Sequence, residues 1–420
     1  MLATLIKKEI QQNLYGSKFQ AIMFLTLILV FSSVYVMYKD YSQRTREYEI
    51  LLPDLEKSSS MLKPSPLAIF DKGLDEGLCT VYKINWDSGI FSYSNQKEFS
   101  NEVFHLFDTP DLFYVTWIFL SLCAVLFSFN LVTGEKEDGT LRQMLASSLD
   151  RAKLVVGKWA GGFICLALPF TLAFLVSLTV VSLAPNVQFG LQDCLKLALF
   201  LAGSLLYLEF FFSLGMLIST ASRNSAAALS VSLLFWVTLV FVAPGLGNVV
   251  AGKIVAVPSN QRYMVQSHQA YMAYLRARDD SDRKTSSREA FDLRQHDPEK
   301  NDLVSDYRAR LDWLVSLSRA FIRLSPAGAY TFLAGDLSNT GMLEMLNLKR
   351  SILVYRDIFL GFPQNENLEV VGDYPAFTYE RLKLTQVLVN GGLLNLALLL
   401  LHTAVVFAAS YVLFLRYDAR

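Results

Sequence analysis

The sequence predicts an all-α polytopic membrane protein with six transmembrane helices and a large extracytoplasmic domain. Three observations lead there. The chain is 53% hydrophobic and only 18% charged over 420 residues, whereas soluble domains carry about 25% charge. Six apolar stretches meet or approach the roughly 20 residues that a helix needs to cross a bilayer. About half of the chain falls in two long polar segments, 39–111 and 251–386. Basic and acidic residues balance at 38 each, which speaks against a nucleic-acid binder with its basic excess. The composition also excludes disordered, collagen-like and disulfide-rich secreted chains.

The elements follow in chain order. Residues 1–19 are amphipathic, with Leu2, Leu5, Ile6, Ile10 and Leu14 at helical spacing. The first span, 20–38, follows Lys7, Lys8 and Lys18, and no A-x-A site comes after it, so an uncleaved anchor is expected. Segment 39–111 holds Pro53, Pro64, Pro66 and Pro110 among alternating runs such as CTVYKINW and FSYSN, and predicts a small mixed α/β part. Span two covers 112–133, and the loop 134–155 leads into span three at 156–184. There Gly157-x-x-x-Gly161 reads either as a close-packing motif or as a chance match. Spans four and five cover 195–219 and 226–250. Pro169 and Pro244 are expected to kink their helices, with a break over 243–247. Val304, Tyr307, Leu311, Leu314, Val315 and Phe321 form an amphipathic stripe, so 251–324 predicts a helical hairpin outside the membrane. The charged stretch 276–289 either joins its two helices or lies on a solvated face. Span six covers 387–415.

Orientation rests on Lys and Arg in the short loops. With the N-terminus inside, 1–19, 134–155, 220–225 and 416–420, together with Lys158, hold 11 basic and six acidic residues. Segment 39–111 holds 8 basic and 13 acidic residues. Both termini are therefore expected to be cytoplasmic.

Catalytic signatures are missing. There is no H-E-x-x-H, G-x-S-x-G or G-x-x-x-x-G-K-[ST] pattern. His105, His268, His296 and His402 are scattered without ligand spacing, and Ser281-x-x-Lys284 stands in a charged stretch with no companion motif. Cys79, Cys123, Cys165 and Cys194 read as buried small hydrophobes rather than as disulfides or metal ligands. No metal, cofactor or catalytic residue is expected on this chain.

The loop after span two carries a sharper signal. It reads Gly134-Glu-Lys-Glu-Asp-Gly-Thr-Leu-Arg142. Gly139 breaks a polar turn, and Thr140 is placed to cap a short helix from Leu141 to Leu149. Leu141, Leu145 and Leu149 share a face, and Asp150 caps the following helix. The plain alternative is an interfacial helix that only orients the spans.

E-K-E-D-G-T-L-R, followed by S-L-D-R and G-K, resembles the loop between spans two and three of type-2 ATP-binding-cassette (ABC) transporter permeases. The amphipathic N-terminal segment is similar to that family's elbow helix. The stretch LGMLISTASRNSAAAL at 214–229 looks like its inner turn, and Arg323-Leu-Ser-Pro326 is similar to a family pattern. The enlarged segments 39–111 and 251–386 depart from ordinary members and look like a subgroup with such insertions. The resemblance implies a dimer with a second copy or a paralogue, docked to separate cytoplasmic ATPase subunits that carry ATP and magnesium. It implies that Glu135, Lys136, Glu137 and Arg142 meet the ATPase, with Gly139 and Thr140 shaping the loop. Leu141 and Leu145 would pack into the ATPase groove, and a bacterial inner membrane is the family's usual place.

Glu209 stands mid-way along span four, where an ionisable group costs about 2.5–3.5 kcal/mol on insertion scales. It reads either as an intramembrane pathway residue or as a hydrogen-bonded packing residue. Asn390, Asn395 and His402 in the last span are weaker candidates of the same kind. Two functions remain open: an ATP-driven export permease, and a membrane-anchored interaction protein whose outer helices hold a periplasmic partner without transport.

Overall fold

The computed structural model of the chain describes residues 2–54, 59–84, 91–94, 110–146, 150–257, 302–359 and 375–416, with isolated positions between 259 and 276. Helix α1 (Leu2–Leu14) and helix α2 (Ser17–Leu51) come first. An antiparallel sheet follows, with strands β1 (Ser59–Met61), β2 (Val81–Ile84) and β3 (Phe91–Ser94) in that spatial order. Its register pairs Met61 with Val81 and Ile84 with Phe91. Next come α3 (Leu112–Glu137), α4 (Thr140–Ala146), α5 (Arg151–Ser182), α6 (Leu191–Ala221) and α7 (Ser225–Ile254). The chain continues with α8 (Asp302–Ile322), α9 (Pro326–Leu337), α10 (Met342–Phe359) and α11 (Leu384–Leu415). Helices α2, α3, α5, α6, α7 and α11 are long and apolar enough to cross a membrane. The architecture is all-α and polytopic, with a few small strands.

Helix α2 runs well past residue 38. No Gly or Pro interrupts 39–51, so the polar tail stays helical until Pro53 disfavours a helical residue before it. Both proline-containing spans continue as helix past the proline. Helix α5 passes through Pro169 unbroken. In α7 a wide π-type turn at Thr238–Val242 precedes Pro244, and the helix then continues to Ile254.

Both termini of the bundle meet at one end, here the near end. Arg151 Nη1 donates to the Leu415 carbonyl at 3.3 Å, and α1 packs along the start of α5. The two glycines of the Gly157/Gly161 motif make that approach. A Cβ on Gly161 would fall 2.6 Å from Glu9 Cβ, and one on Gly157 would fall 3.2 Å from Leu5 Cβ. The motif is therefore a packing device between α1 and α5.

At the far end sits a second small core of Leu62, Leu78, Cys79, Tyr82, Leu348 and Ile352, which joins the sheet region to α10. A polar network ties it to the spans. Arg381 donates to the Asn339 and Lys63 carbonyls, each at 2.8 Å, and pairs with Asp75 at 2.9 Å. Asp75 also pairs with Arg44 of α2 at 2.6 Å, and Lys196 of α6 donates to the Leu382 carbonyl at 2.7 Å and to Asn339 Oδ1. Burial works against the Arg381 charge, but Asp75, Cys79 and Glu344 outweigh it and hold the guanidinium above its ordinary value.

The sequence places all of 251–386 outside the membrane, and here the structure differs. Helices α8 and α9 form a hairpin whose tip enters the bundle. At the tip, Ser325 Oγ donates to the Leu239 carbonyl at 2.9 Å, and His402 Nε2 lies 3.0 Å from the Leu324 carbonyl. Helix α9 then runs back beside α6. Tyr330 meets Ser204 at 2.9 Å and stacks on Tyr207, and a Cβ on Gly203 would fall 2.7 Å from Leu333. The small residues of α9 (Ala327, Gly328, Ala329, Ala334 and Gly335) permit this approach, and nearly all of the helix is buried. Of the hairpin predicted over 251–324, the pairing that is seen joins α8 to the end of α7, with Tyr263 stacked on Tyr307 at 4.1 Å. The charged stretch after Arg276 lies outside the described residues. Cys79, Cys123 and Cys165 are buried and free, but Cys194 is exposed at the start of α6, contrary to its reading as a buried hydrophobe.

Candidate coupling site

The near end is built around the last turn of α3. Ser219 Oγ of α6 accepts from the backbone N–H groups of Val132 and Thr133, both at 3.0 Å. One turn on, Lys136 Nζ donates to the Thr220 and Ser222 carbonyls at 2.7 and 2.9 Å. Those carbonyls terminate α6, where a cation satisfies acceptors that the helix leaves open. Glu137 accepts from the backbone N–H and the hydroxyl of Ser225, both at 2.7 Å, at the opening of α7. An acidic side chain there meets the positive end of the helix dipole. Asn224 completes the cap by accepting from Ala227 N–H at 2.8 Å. Two consecutive residues of α3 thus hold both sides of the turn between α6 and α7.

Glu135 turns the other way. Lys158 Nζ of α5 bonds to Glu135 Oε1 and lies 3.2 Å from Glu9 Oε1 of α1. The lysine side chain is only 3% exposed, so one buried cation joins three helices.

Gly139 follows with φ +70°, a left-handed conformation in which only glycine is unstrained. Open space surrounds it, so the backbone angle rather than crowding requires the glycine. Thr140 is the first residue of α4 rather than its cap, and its hydroxyl donates back to the Glu135 carbonyl at 3.4 Å. Asp150 caps α5, accepting from Ala152 N–H at 3.1 Å, as its position predicts.

One expectation is overturned. Leu141 does not face outward toward a partner groove. It is 2% exposed and packs with Val132, Leu154, Val155, Met216 and Phe414, because α4 folds its apolar face onto this chain's own core. The side chain of Leu145 and all of Leu149 lie outside the described residues. The surface presented outward consists of Glu137, Asp138, Gly139, Thr140, Arg142, Gln143 and Ala146. Of the predicted contact charges, Glu135, Lys136 and Glu137 are engaged within the chain, whereas Arg142 is exposed and has no partner among the described residues. Nothing in the sequence marked Lys158 as their organiser. The polar run Ser219, Thr220, Ser222, Asn224 and Ser225, between two apolar helices, was the signal for the inner turn that receives them.

The intramembrane candidates do not converge. Glu209 is half-buried on α6 and makes no hydrogen bond or ion pair among the described residues. Asn390 donates to the Gln386 carbonyl at 2.8 Å, at an irregular turn of α11 where Gly391 has φ +136°. Asn395 is fully buried, with both amide atoms unpartnered. Among the described residues no cluster of His, Cys, Asp or Glu is arranged to hold a metal ion.

Comparison with known proteins agrees with this geometry. The model of the ABC-2 family transporter proteins matches residues 3–419. A stretch of 125 residues is 30% identical to a probable ABC transporter permease protein, NosY, of Pseudomonas aeruginosa. That stretch covers 29% of this chain and 45% of the relative. The six apolar helices and the family match define an integral membrane protein of the permease class. The chain belongs to the ABC-2 transporter family.

Proposed function

We propose that the chain is the membrane-spanning permease subunit of an ATP-binding-cassette exporter. It works as a dimer, with a second copy or a paralogue, and each subunit carries a separate cytoplasmic ATPase that binds ATP and magnesium. Both termini lie in the cytoplasm of a bacterial cell, and the bilayer is the inner membrane. The observation that carries this reading is the near-end construction. Helix α4 is fastened inward by Leu141, while α3 is pinned to α5 by Glu135 and to the α6–α7 turn by Lys136 and Glu137. A push on the outward residues 137–143 would therefore reach four spans as one rigid unit, which is what an ATPase partner has to accomplish.

The test is co-purification of the tagged chain with its neighbouring gene products, followed by an ATP hydrolysis assay. Arg142→Glu is expected to lose the ATPase while the protein still folds, because Arg142 is exposed. Retention of an unaltered ATPase by that variant would refute the docking face.

A second reading, transmission of motion to an extracytoplasmic partner, is supported by the far-end network from Arg44 and Lys196 through Arg381. Export predicts that Glu209→Ala impairs function. Transmission predicts that this variant is active and that deletion of 262–320 is not tolerated.

A further inference from the structure

Two half-buried arginines of the re-entrant hairpin have one distant carboxylate between them among the described residues. Arg319, in the last turn of α8, and Arg323, in the turn to α9, both lie over the ring of Phe332, at 5.5 and 5.6 Å from its centroid. Arg319 Nη2 is 3.9 Å from Asp336 Oδ2, beyond hydrogen-bond reach, and that oxygen is itself unpartnered. Arg319 Nε and Nη2 and Arg323 Nε are buried with no acceptor. Among the described residues no carboxylate pairs with Arg323. The backbone makes room for it, since a Cβ on Gly391 would fall 2.7 Å from Arg323 Nη2, where φ is +136° and α11 departs from helical geometry.

Depth gives the chemistry. Phe332 adjoins Leu333, which packs on Gly203, about 18 Å from the far end of α6 at about 1.5 Å per residue. Gly391 lies about 10 Å from the far end of α11 on the same scale. Spans of 31 and 32 residues are about 46–48 Å long, so a hydrocarbon core about 30 Å thick centred on them places the two guanidiniums just within its outer edge. Leu324, Val389 and Leu393, in the same turn and flanking Gly391, are all strongly exposed. Two planar forks beside a single carboxylate, which only Arg319 approaches, leave a positive excess and open donors, which suit an anionic oxygen group. An opening to lipid selects an amphiphile rather than a free ion.

We propose that Arg319 and Arg323 form a binding site for the anionic headgroup, phosphate or carboxylate, of a membrane amphiphile whose chains lie along Leu324, Val389 and Leu393. The site is independent of any ATPase and of the export reading. Whether the occupant is a resident lipid or cargo, the same headgroup chemistry is recognised.

The test uses the full-length chain, purified and exposed to equal amounts of phosphatidylglycerol and phosphatidylcholine, with retained lipid counted by native mass spectrometry. The wild type is expected to prefer phosphatidylglycerol by about tenfold. Arg323→Gln, which leaves the Arg319–Asp336 approach intact, is expected to cut that preference severalfold, and R319Q/R323Q to abolish it. Arg310→Gln, at a solvent-exposed pair with Asp306 on the same helix, is expected to leave it unchanged. If the double variant does not fold, the single variant decides. An unchanged preference in Arg323→Gln, or an equal loss in Arg310→Gln, would overturn the proposal. Displacement of the lipid by millimolar inorganic phosphate would overturn the amphiphile assignment in favour of a free anion.

Discussion

Lys158 holds two carboxylates from different helices in a nearly dry pocket, Glu9 of α1 and Glu135 of α3. Removing that lysine takes from both carboxylates the cation they bond to, a loss of about 3–5 kcal/mol for buried pairs. Lys158→Met is therefore expected to lower the unfolding temperature in detergent. Lys153→Met, whose 3.7 Å pair with Asp150 is solvated, should change little. Equal melting of the two variants would show that the buried set contributes nothing. At this scale the residues 135–142 were legible from sequence, because their charges interrupt apolar surroundings. Their roles were legible only in part. Glu135 and Leu141 face inward because α5, α6 and α11 close over them, and those partners are remote in sequence.

Elements show the same division. The spans could be read from apolar length alone, since a bilayer demands a near-constant helix length. Helix α9 could not. It is too short to cross, and its burial arises only when Gly203, Ser204 and Tyr207 of α6 receive it. Its turn is tight, because a Cβ on Gly328 would fall 2.1 Å from the Ile322 carbonyl oxygen, a backbone atom that cannot swing aside. Gly328→Ala is expected to destabilise the protein by about 1–3 kcal/mol, the usual cost of overpacking. Gly252→Ala meets open space and should be neutral in the same melting experiment. A neutral Gly328→Ala would mean that the hairpin tip is not packed as described.

For the whole molecule the decisive property is which end faces the cytoplasm. Cys194 is exposed at the far end, whereas Cys79 is buried and its thiol is pushed up to about 12, chiefly by burial and then by Asp75. A thiol held protonated and covered reacts slowly. A membrane-impermeant maleimide added to intact cells is expected to label Cys194 and spare Cys79, and Cys194→Ser should remove the signal. Labelling only after the membrane is opened would invert the orientation. The central claim is that the outward surface of residues 137–143 is the ATPase dock. It is tested most directly by placing a photo-crosslinking phenylalanine at Gln143 and, separately, at Gln188, which is exposed at the far end. Docking predicts an adduct with an ATP-binding-cassette ATPase from position 143 and none from 188. No ATPase adduct at 143, or the same adduct at 188, would contradict it.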